Sequence, residues 1–490
     1  MSSHLPPATS LPEIIQGGMG VGVSSWQLAK AVSSIGQLGV VSGTMIDVVV
    51  ARTLQLGDPG GHVRRALAAF PNPALTERFL KRYFIDGGKP EGAPFRPVPM
   101  SALPPSRASL EYSVLASFVT VWLAKEGHPG SVGINLLEKS QIPTLPLLYG
   151  AILAKVDYVL MGAGIPRQIP GLLDLLSANQ PAEMRIDVTG ATEPVTLSFD
   201  PLDVCGITDP TLKRPAFLAV VSSAVLAKTL HRKASGVVDG FVVEFPEAGG
   251  HNAPPRGGIS LSESGEPIYG PRDAIDTSAF RKIGLPFWLA GGFGRAGKLR
   301  EAQALGAAGI QVGTAFALSA ESGFTPSLKS KIIDAIRTDE LEIFTDPSAS
   351  PTGFPFKVAS VPETLSEDPI YQSRERVCDI GVLREPFAKP DGSIGFRCSG
   401  EPVDSYVAKG GDRQRSIGAK CLCNSLGATI GLGQERSGQP TEPALITLGD
   451  DLESIRDLLP DQGDSYTAKA LVDHLLDGSV TSASCSPCHA

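Results

Sequence analysis

The stretch of this chain best equipped for chemistry is residues 244–257, EFPEAGGHNAPPRG. His251 stands there directly after two glycines, and the run before it, GVVDGFVVEF, is apolar and β-branched enough to read as a buried strand. An imidazole titrates near neutral pH and can take or give a proton. At a strand end, on a loop too small-sided to shield it, His251 is the candidate general base or acid. The plainer reading, a loop histidine capping a backbone carbonyl, carries less weight at such a position. Most other histidines have ordinary explanations: His4 and His489 lie in tails, His128 in a turn, His231 and His474 in polar helical patterns.

A second group of residues suits an anion. Gly291-Gly292 and Gly313-Thr314 each end an apolar run. Glycines there let backbone N–H groups approach a phosphate, and Thr314 adds a hydroxyl. The alternative is that they only permit tight turns. Asn135 closes the apolar run GINLL, either as an Asx-type turn residue or as a hydrogen-bonding partner for a heterocycle. Met19, within Gln16-Gly17-Gly18-Met19-Gly20, offers a soft face for a flat ring or is simply core.

These residues share one structural address. Eight apolar runs, EIIQGG, LGVVSG, SVGINLL, DYVLMGAG, PAFLAVVSS, DGFVVEF, PFWLAGG and GIQVGTA, alternate with helical patterns between residues 13 and 320. Each is continuous rather than alternating, as in parallel strands buried on both faces. Eight such units predict a closed (β/α)8 TIM barrel, whose working end is the C-terminal end of its strands. Every residue singled out above lies at such an end. The glycine-rich turn at Gly17–Gly22 is weak evidence for a dinucleotide fold, because no acidic residue closes a βαβ unit behind it.

The barrel domain is expected over 13–360, with a mostly helical insert at 47–125 and an inserted hairpin at 183–200, either of which could form a lid. A Gly/Pro-rich C-terminal extension follows over 361–475, then a disordered tail over 476–490.

Composition narrows the partners. The 490 residues carry a net charge of −8 with no basic block, which argues against nucleic acid and anionic membrane. The N-terminus shows no secretory pattern, and SVLASFVTVWLA is too short to span a bilayer, so a cytoplasmic protein is expected. Seven cysteines without a disulfide framework fit a reducing compartment. Cys378, Cys398, Cys421 and Cys423 fall in one region, but their spacing is poor for zinc or an iron–sulfur cluster, and no metal is expected. Cys485 and Cys488 form a C-x-x-C in the tail with no partner pair.

The ordered set IIQGGMG, GINLL, EAGGH, LAGGFG, GIQVGTAFALSAESG and TGFPFKV resembles the nitronate monooxygenase family, once called 2-nitropropane dioxygenases, over about two thirds of the chain. These are FMN-dependent TIM-barrel enzymes, related to flavin enoyl-acyl-carrier-protein reductases. The resemblance implies FMN at the barrel mouth. Its phosphate would sit on Gly291, Gly292, Gly313 and Thr314, and its ring against Gly18, Met19, Gly20 and Asn135, with Glu244 and Gly250 beside it. His251 matches the family's active-site histidine. The implied reaction is oxidation of a nitronate with O2 to a carbonyl compound and nitrite. The relatives imply an alternative, NAD(P)H-dependent reduction of an enoyl thioester. A third reading, of another class, is an FMN-binding sensor or scaffold.

Two departures stand out. Glu244 replaces the family's glutamine three residues before Glu247, and the loop after His251 is longer, NAPPRGG. Arg256 on that loop is a candidate substrate contact, a partner for flavin charge, or a partner for Glu247.

Overall fold

A computed structural model describes residues 4–7, 10–459 and 465–477. The eight apolar runs form β1 (Ile14–Gln16), β2 (Leu38–Ser42), β3 (Val132–Leu137), β4 (Tyr158–Gly162), β7 (Ala216–Val221), β8 (Gly240–Glu244), β9 (Phe287–Ala290) and β10 (Gly309–Val312). They close in the order β1-β10-β9-β8-β7-β4-β3-β2, with every pairing parallel. Closure rests on β1, whose Gln16 pairs with Val312 on one side and Gly39 on the other.

The strands read as continuously apolar because they bury both faces. Ile15, Val40, Leu160, Leu218, Val242 and Trp288 point into the barrel and form one cluster. Their neighbours Ile14, Val41, Val159, Phe217, Val243 and Leu289 face the helices and join the larger outer core. The floor is sealed by Trp288, whose indole Nε1 donates to the Pro12 carbonyl at 2.7 Å.

The residues between β2 and β3 hold four α-helices, Ile46–Gln55, His62–Ala68, Pro73–Tyr83 and Arg107–Lys125. The last, capped by the Ser106 hydroxyl, is buried along most of its length and belongs to the helical layer around the barrel. β5 (Ala182–Ile186) and β6 (Val195–Phe199) form the inserted antiparallel hairpin, with the alternating burial of a half-covered strand. After the barrel come β11 (Ile343–Asp346) with β12 (Phe356–Ala359), and β13 (Glu385–Ala388) with β14 (Ile394–Arg397), both antiparallel. The β5–β6 hairpin is tied to the β13–β14 hairpin, where Thr189 N–H donates to the Pro386 carbonyl at 3.0 Å.

No described helix is long and apolar enough to cross a membrane. From residue 478 onward the expected tail, with Cys485 and Cys488, lies outside the described residues.

Candidate active site

The C-terminal ends of the barrel strands open into a continuous cleft. One part, of about 920 Å³ including its open side, lies over the mouth and is walled by Gly20, Asn135, Glu244, Gly249, His251 and Gln311. A second part, of about 510 Å³, is walled by Met19, Gly20, Gly249, Gly250, Gly313 and Thr314. The two share Gly20, Gly249 and Leu426. Each falls within the range usual for ligand sites, about 300–1,000 Å³.

The turn after β1 is held by one polar knot. The Gln16 amide donates to Ser24 Oγ at 2.9 Å, and its carbonyl accepts from Val40 N–H at 3.0 Å. Ser24 Oγ in turn donates to the Gly17 carbonyl and accepts from Met19 N–H, both at 2.8 Å. Met19 is thereby fixed at the junction, 3.7 Å from where a Cβ on Gly313 would sit. Gly18 is required by close approach: a Cβ there would lie 2.3 Å from Asn135 Cβ.

His251 is oriented from the far side by the segment after β11. Lys357 N–H donates to the Gly250 carbonyl at 3.0 Å, and Asn252 N–H to the Pro355 carbonyl at 2.9 Å. The His251 ring packs edge-on against Phe356, with centroids 4.8 Å apart. Its Nε2 is 2.7 Å from Ser350 Oγ. Burial pushes the imidazole pKa down to about 4, so the ring is neutral at physiological pH and its base form is available. Glu244 is pushed the other way by the same cause, up to about 7. No hydrogen bond or ion pair from the described residues reaches its carboxyl, so nothing offsets the desolvation.

The structure brings Met19, Gly20, Asn135, Glu244, Gly250, His251, Gly313 and Thr314 around one cleft, with Gly18 directly behind Asn135. Gly291, Gly292 and Arg256 are not among the residues that wall these two parts. Gly291 has φ +96°, and a Cβ there would lie 3.0 Å from Phe245 Cβ, so it serves the turn and the packing of Phe245. Arg256 lies in a smaller recess behind Glu244. Its guanidinium is spent on the Ser222 and Arg272 carbonyls, at 2.7 and 2.6 Å, and does not pair with Glu247. Neither the 47–125 insert nor the hairpin covers the cleft. Arg96–Val98 and Ser101 of the insert instead wall a side chamber beside the mouth.

The roof comes from the C-terminal extension. Val382, Leu383, Leu422 and Cys423 cover the mouth, and Leu445, Thr447 and Leu448 cover the other end. Thr447 Oγ1 accepts from Gly250 N–H, and Gly449 N–H donates to Thr314 Oγ1, both at 2.8 Å. Sequence reasoning missed these residues, and missed Gln311, whose Oε1 is buried with no partner and lines the mouth. The available signal was a polar residue inside the otherwise apolar run GIQVGTA. Cys378, Cys398, Cys421 and Cys423 are free thiols, and among the described residues no group of His, Cys, Asp and Glu side chains is placed to hold a metal ion.

Residues 210–351 match the family model described as nitronate monooxygenase. The match spans β7 to β11 and includes His251 and Ser350. No curated protein matches the sequence. Among solved structures the chain is similar to FabK from Thermotoga maritima, with 17% identity over 98% of this chain and 96% of that one and a TM-score of 0.48. It is similar also to a nitroalkane oxidase from Streptomyces ansochromogenes, with 16% identity, 96% of each chain covered and a TM-score of 0.42. A third is the enoyl reductase domain of MlnA from Bacillus amyloliquefaciens, with 11% identity over 96% and 94% and a TM-score of 0.46. At these values the structural likenesses add nothing to the barrel already described.

Proposed function

We propose that this chain, whose residues 210–351 carry the nitronate monooxygenase pattern, is an FMN-dependent oxidoreductase that oxidises a nitronate with O2. The observation that carries the reading is a neutral histidine held in a cleft at the working end of a (β/α)8 TIM barrel, inside the matched segment.

The residues fit the cofactor. The orphaned Gln311 Oε1 and the Asn135 side chain face the mouth, where a ring with N–H and carbonyl groups would satisfy them. Gly313 and Thr314 stand at the other end, where a phosphate would meet a backbone N–H and a hydroxyl, beside Gly250, whose own N–H is held by Thr447 Oγ1. FMN when bound supplies the redox chemistry, accepting electrons from the substrate and passing them to O2.

The chain's own residues supply the rest. Ser350 and the Phe356 ring hold the His251 imidazole in place. In one tautomer its Nδ1–H donates to an anionic substrate oxygen. In the other, Nδ1 accepts a substrate proton. Glu244, protonated below about pH 7, adds no negative charge to a site that must accommodate an anion. Leu383, Leu422 and Leu426 exclude water from above.

One observation favours a second reading. A further pocket of about 960 Å³, bordered by Lys139, Arg384 and Arg415, adjoins the cleft through Val382 and Leu383. Counted with its open side, this space gives a long substrate somewhere to lie, and Lys139 borders it beside Asp187 and the Glu385–Arg415 pair. That favours NAD(P)H-dependent reduction of an enoyl thioester. The test is an absorbance spectrum of the purified protein before and after propyl-2-nitronate in air. Flavin bands with nitrite release support the first reading. Flavin bands without nitrite, and NADH consumption with an enoyl thioester, support the second. A colourless protein that FMN cannot reconstitute sinks both.

A further inference from the structure

We propose that Ser350 and Thr352 form a two-hydroxyl proton relay that connects His251 to the open pocket beside the cleft, and through it to solvent. The inference deepens the reading of His251 as the proton-handling group and rests on it.

The His251 ring faces the cleft, and its Nδ1 has no hydrogen bond from the described residues. Its Nε2 lies 2.7 Å from Ser350 Oγ, and Ser350 Oγ lies 2.8 Å from Thr352 Oγ1. Ser350 is 4% exposed, so no bulk water reaches it. Thr352 is half-buried and lines the open pocket together with Lys139, Gln141, Asp187 and Arg384. The chain of polar atoms therefore starts in the cleft and ends at solvent.

Counting donors and acceptors shows that this chain can run in two directions only. A hydroxyl has one proton to donate and two lone pairs to accept with. Ser350 Oγ accepts from Thr352 N–H at 3.2 Å, which uses one lone pair. Thr352 Oγ1 accepts from Phe354 N–H at 3.3 Å, which uses one of its own. Each hydroxyl of the segment SPTGF is thus pinned by the backbone two residues on, and keeps one donor and one acceptor for the chain. In the outward state, Nε2–H donates to Ser350, Ser350 to Thr352, and Thr352 to water in the pocket. In the inward state, water donates to Thr352, Thr352 to Ser350, and Ser350 to Nε2. These are the two ends of a single proton transfer.

The balance closes. A proton taken from substrate at Nδ1 leaves from Nε2. The Nε2–H bond breaks as an Oγ–H bond forms on Ser350, the Ser350 proton passes to Thr352, and the Thr352 proton passes to water. The ring ends neutral in the other tautomer. A ring whose burial resists a second proton is suited to this exchange, because it need not store the charge. Ser350 and Thr352 act through His251 and are positioning residues.

The test is NMR of the full chain with ¹⁵N-labelled histidine, FMN-loaded and FMN-free, reading the His251 tautomer and the exchange of its ring N–H with water. The wild type should show both tautomers in exchange. In Thr352→Val, Ser350 loses its outer partner and its proton has only Nε2 to serve. The ring should then lock as the Nδ1–H tautomer, and its N–H exchange should slow by about tenfold, the effect of one lost hydrogen bond. Thr352→Ser should restore the wild-type values, and it serves as the control for folding. Tautomer and exchange in Thr352→Val equal to wild type would overturn the relay, as would failure of Thr352→Ser to restore them. Since the readout needs no turnover, a wrong substrate assignment leaves it unaffected. Locked exchange without nitronate oxidation would sink the reaction and keep the relay.

Discussion

Replacing Glu244 with glutamine should remove a pH-dependent penalty from the folded state. Burial raises the Glu244 carboxyl from 4.5 to about 7, with no cation or hydrogen bond from the described residues to offset it. The unfolded chain therefore releases this proton near pH 4.5, whereas the folded chain holds it until about pH 7. Between those values the folded state binds more protons, so wild-type stability is full below pH 4.5, falls as pH rises, and stays reduced above pH 7. At 1.36 kcal/mol per pKa unit the loss amounts to about 3 kcal/mol. Glu244→Gln keeps the shape and lacks the titration. Urea unfolding of both proteins from pH 4 to pH 8.5 measures the difference directly. The glutamine variant should gain on the wild type by about 3 kcal/mol across that range, nearly all of it between pH 4.5 and 7. Parallel stability curves would show that Glu244 ionises like an exposed carboxyl, and the argument from burial would fall.

Further outcomes follow from the same geometry. Gly18→Ala places a methyl 2.3 Å from Asn135 Cβ, so Asn135 must leave its position. Overpacking of this kind costs about 1–3 kcal/mol, and flavin retention through desalting should fall with it. Thr447→Val leaves Gly250 N–H without its acceptor at the roofed end of the cleft. A loss of about 1–3 kcal/mol in denaturant unfolding and weaker flavin binding are expected. The His251 base form should persist until pH falls to about 4. Measured in the Glu244→Gln background, turnover should be flat from neutral pH down to about 5, and a fall centred near 6.5 would contradict the burial of the ring.

Much of the fold was legible because its strands bury both faces. LGVVSG, SVGINLL, DYVLMGAG and DGFVVEF are continuous apolar runs, and each became a barrel strand. The inserted hairpin was legible for the opposite reason, since the MRIDV and VTLSF runs alternate and the strands are half exposed. At the site, glycine carried an ambiguous message. Gly18 is small because Asn135 lies against it, whereas Gly291 is small because its turn needs a positive φ beside Phe245. Sequence alone does not separate a glycine that makes room for a ligand from one that makes room for a neighbouring side chain. Arg256 looked free on its loop, but two backbone carbonyls claim its guanidinium. The roof was illegible because its contacts are remote in sequence. Thr447 meets Gly250 across 197 residues, and Ser350 meets His251 across 99. No local period or spacing encodes such pairs.

The central claim is that His251 handles the substrate's proton beside a bound flavin. It is tested most directly by His251→Ala, measured for flavin content and for nitrite release from propyl-2-nitronate in air. His251 lines the mouth of the cleft and not its Gly313–Thr314 end, so the variant should retain flavin at the wild-type ratio. Its turnover should drop by about 10²–10⁴, the usual contribution of a positioned acid–base group. Full flavin with an unchanged rate would contradict the account and return His251 to the role of a loop residue.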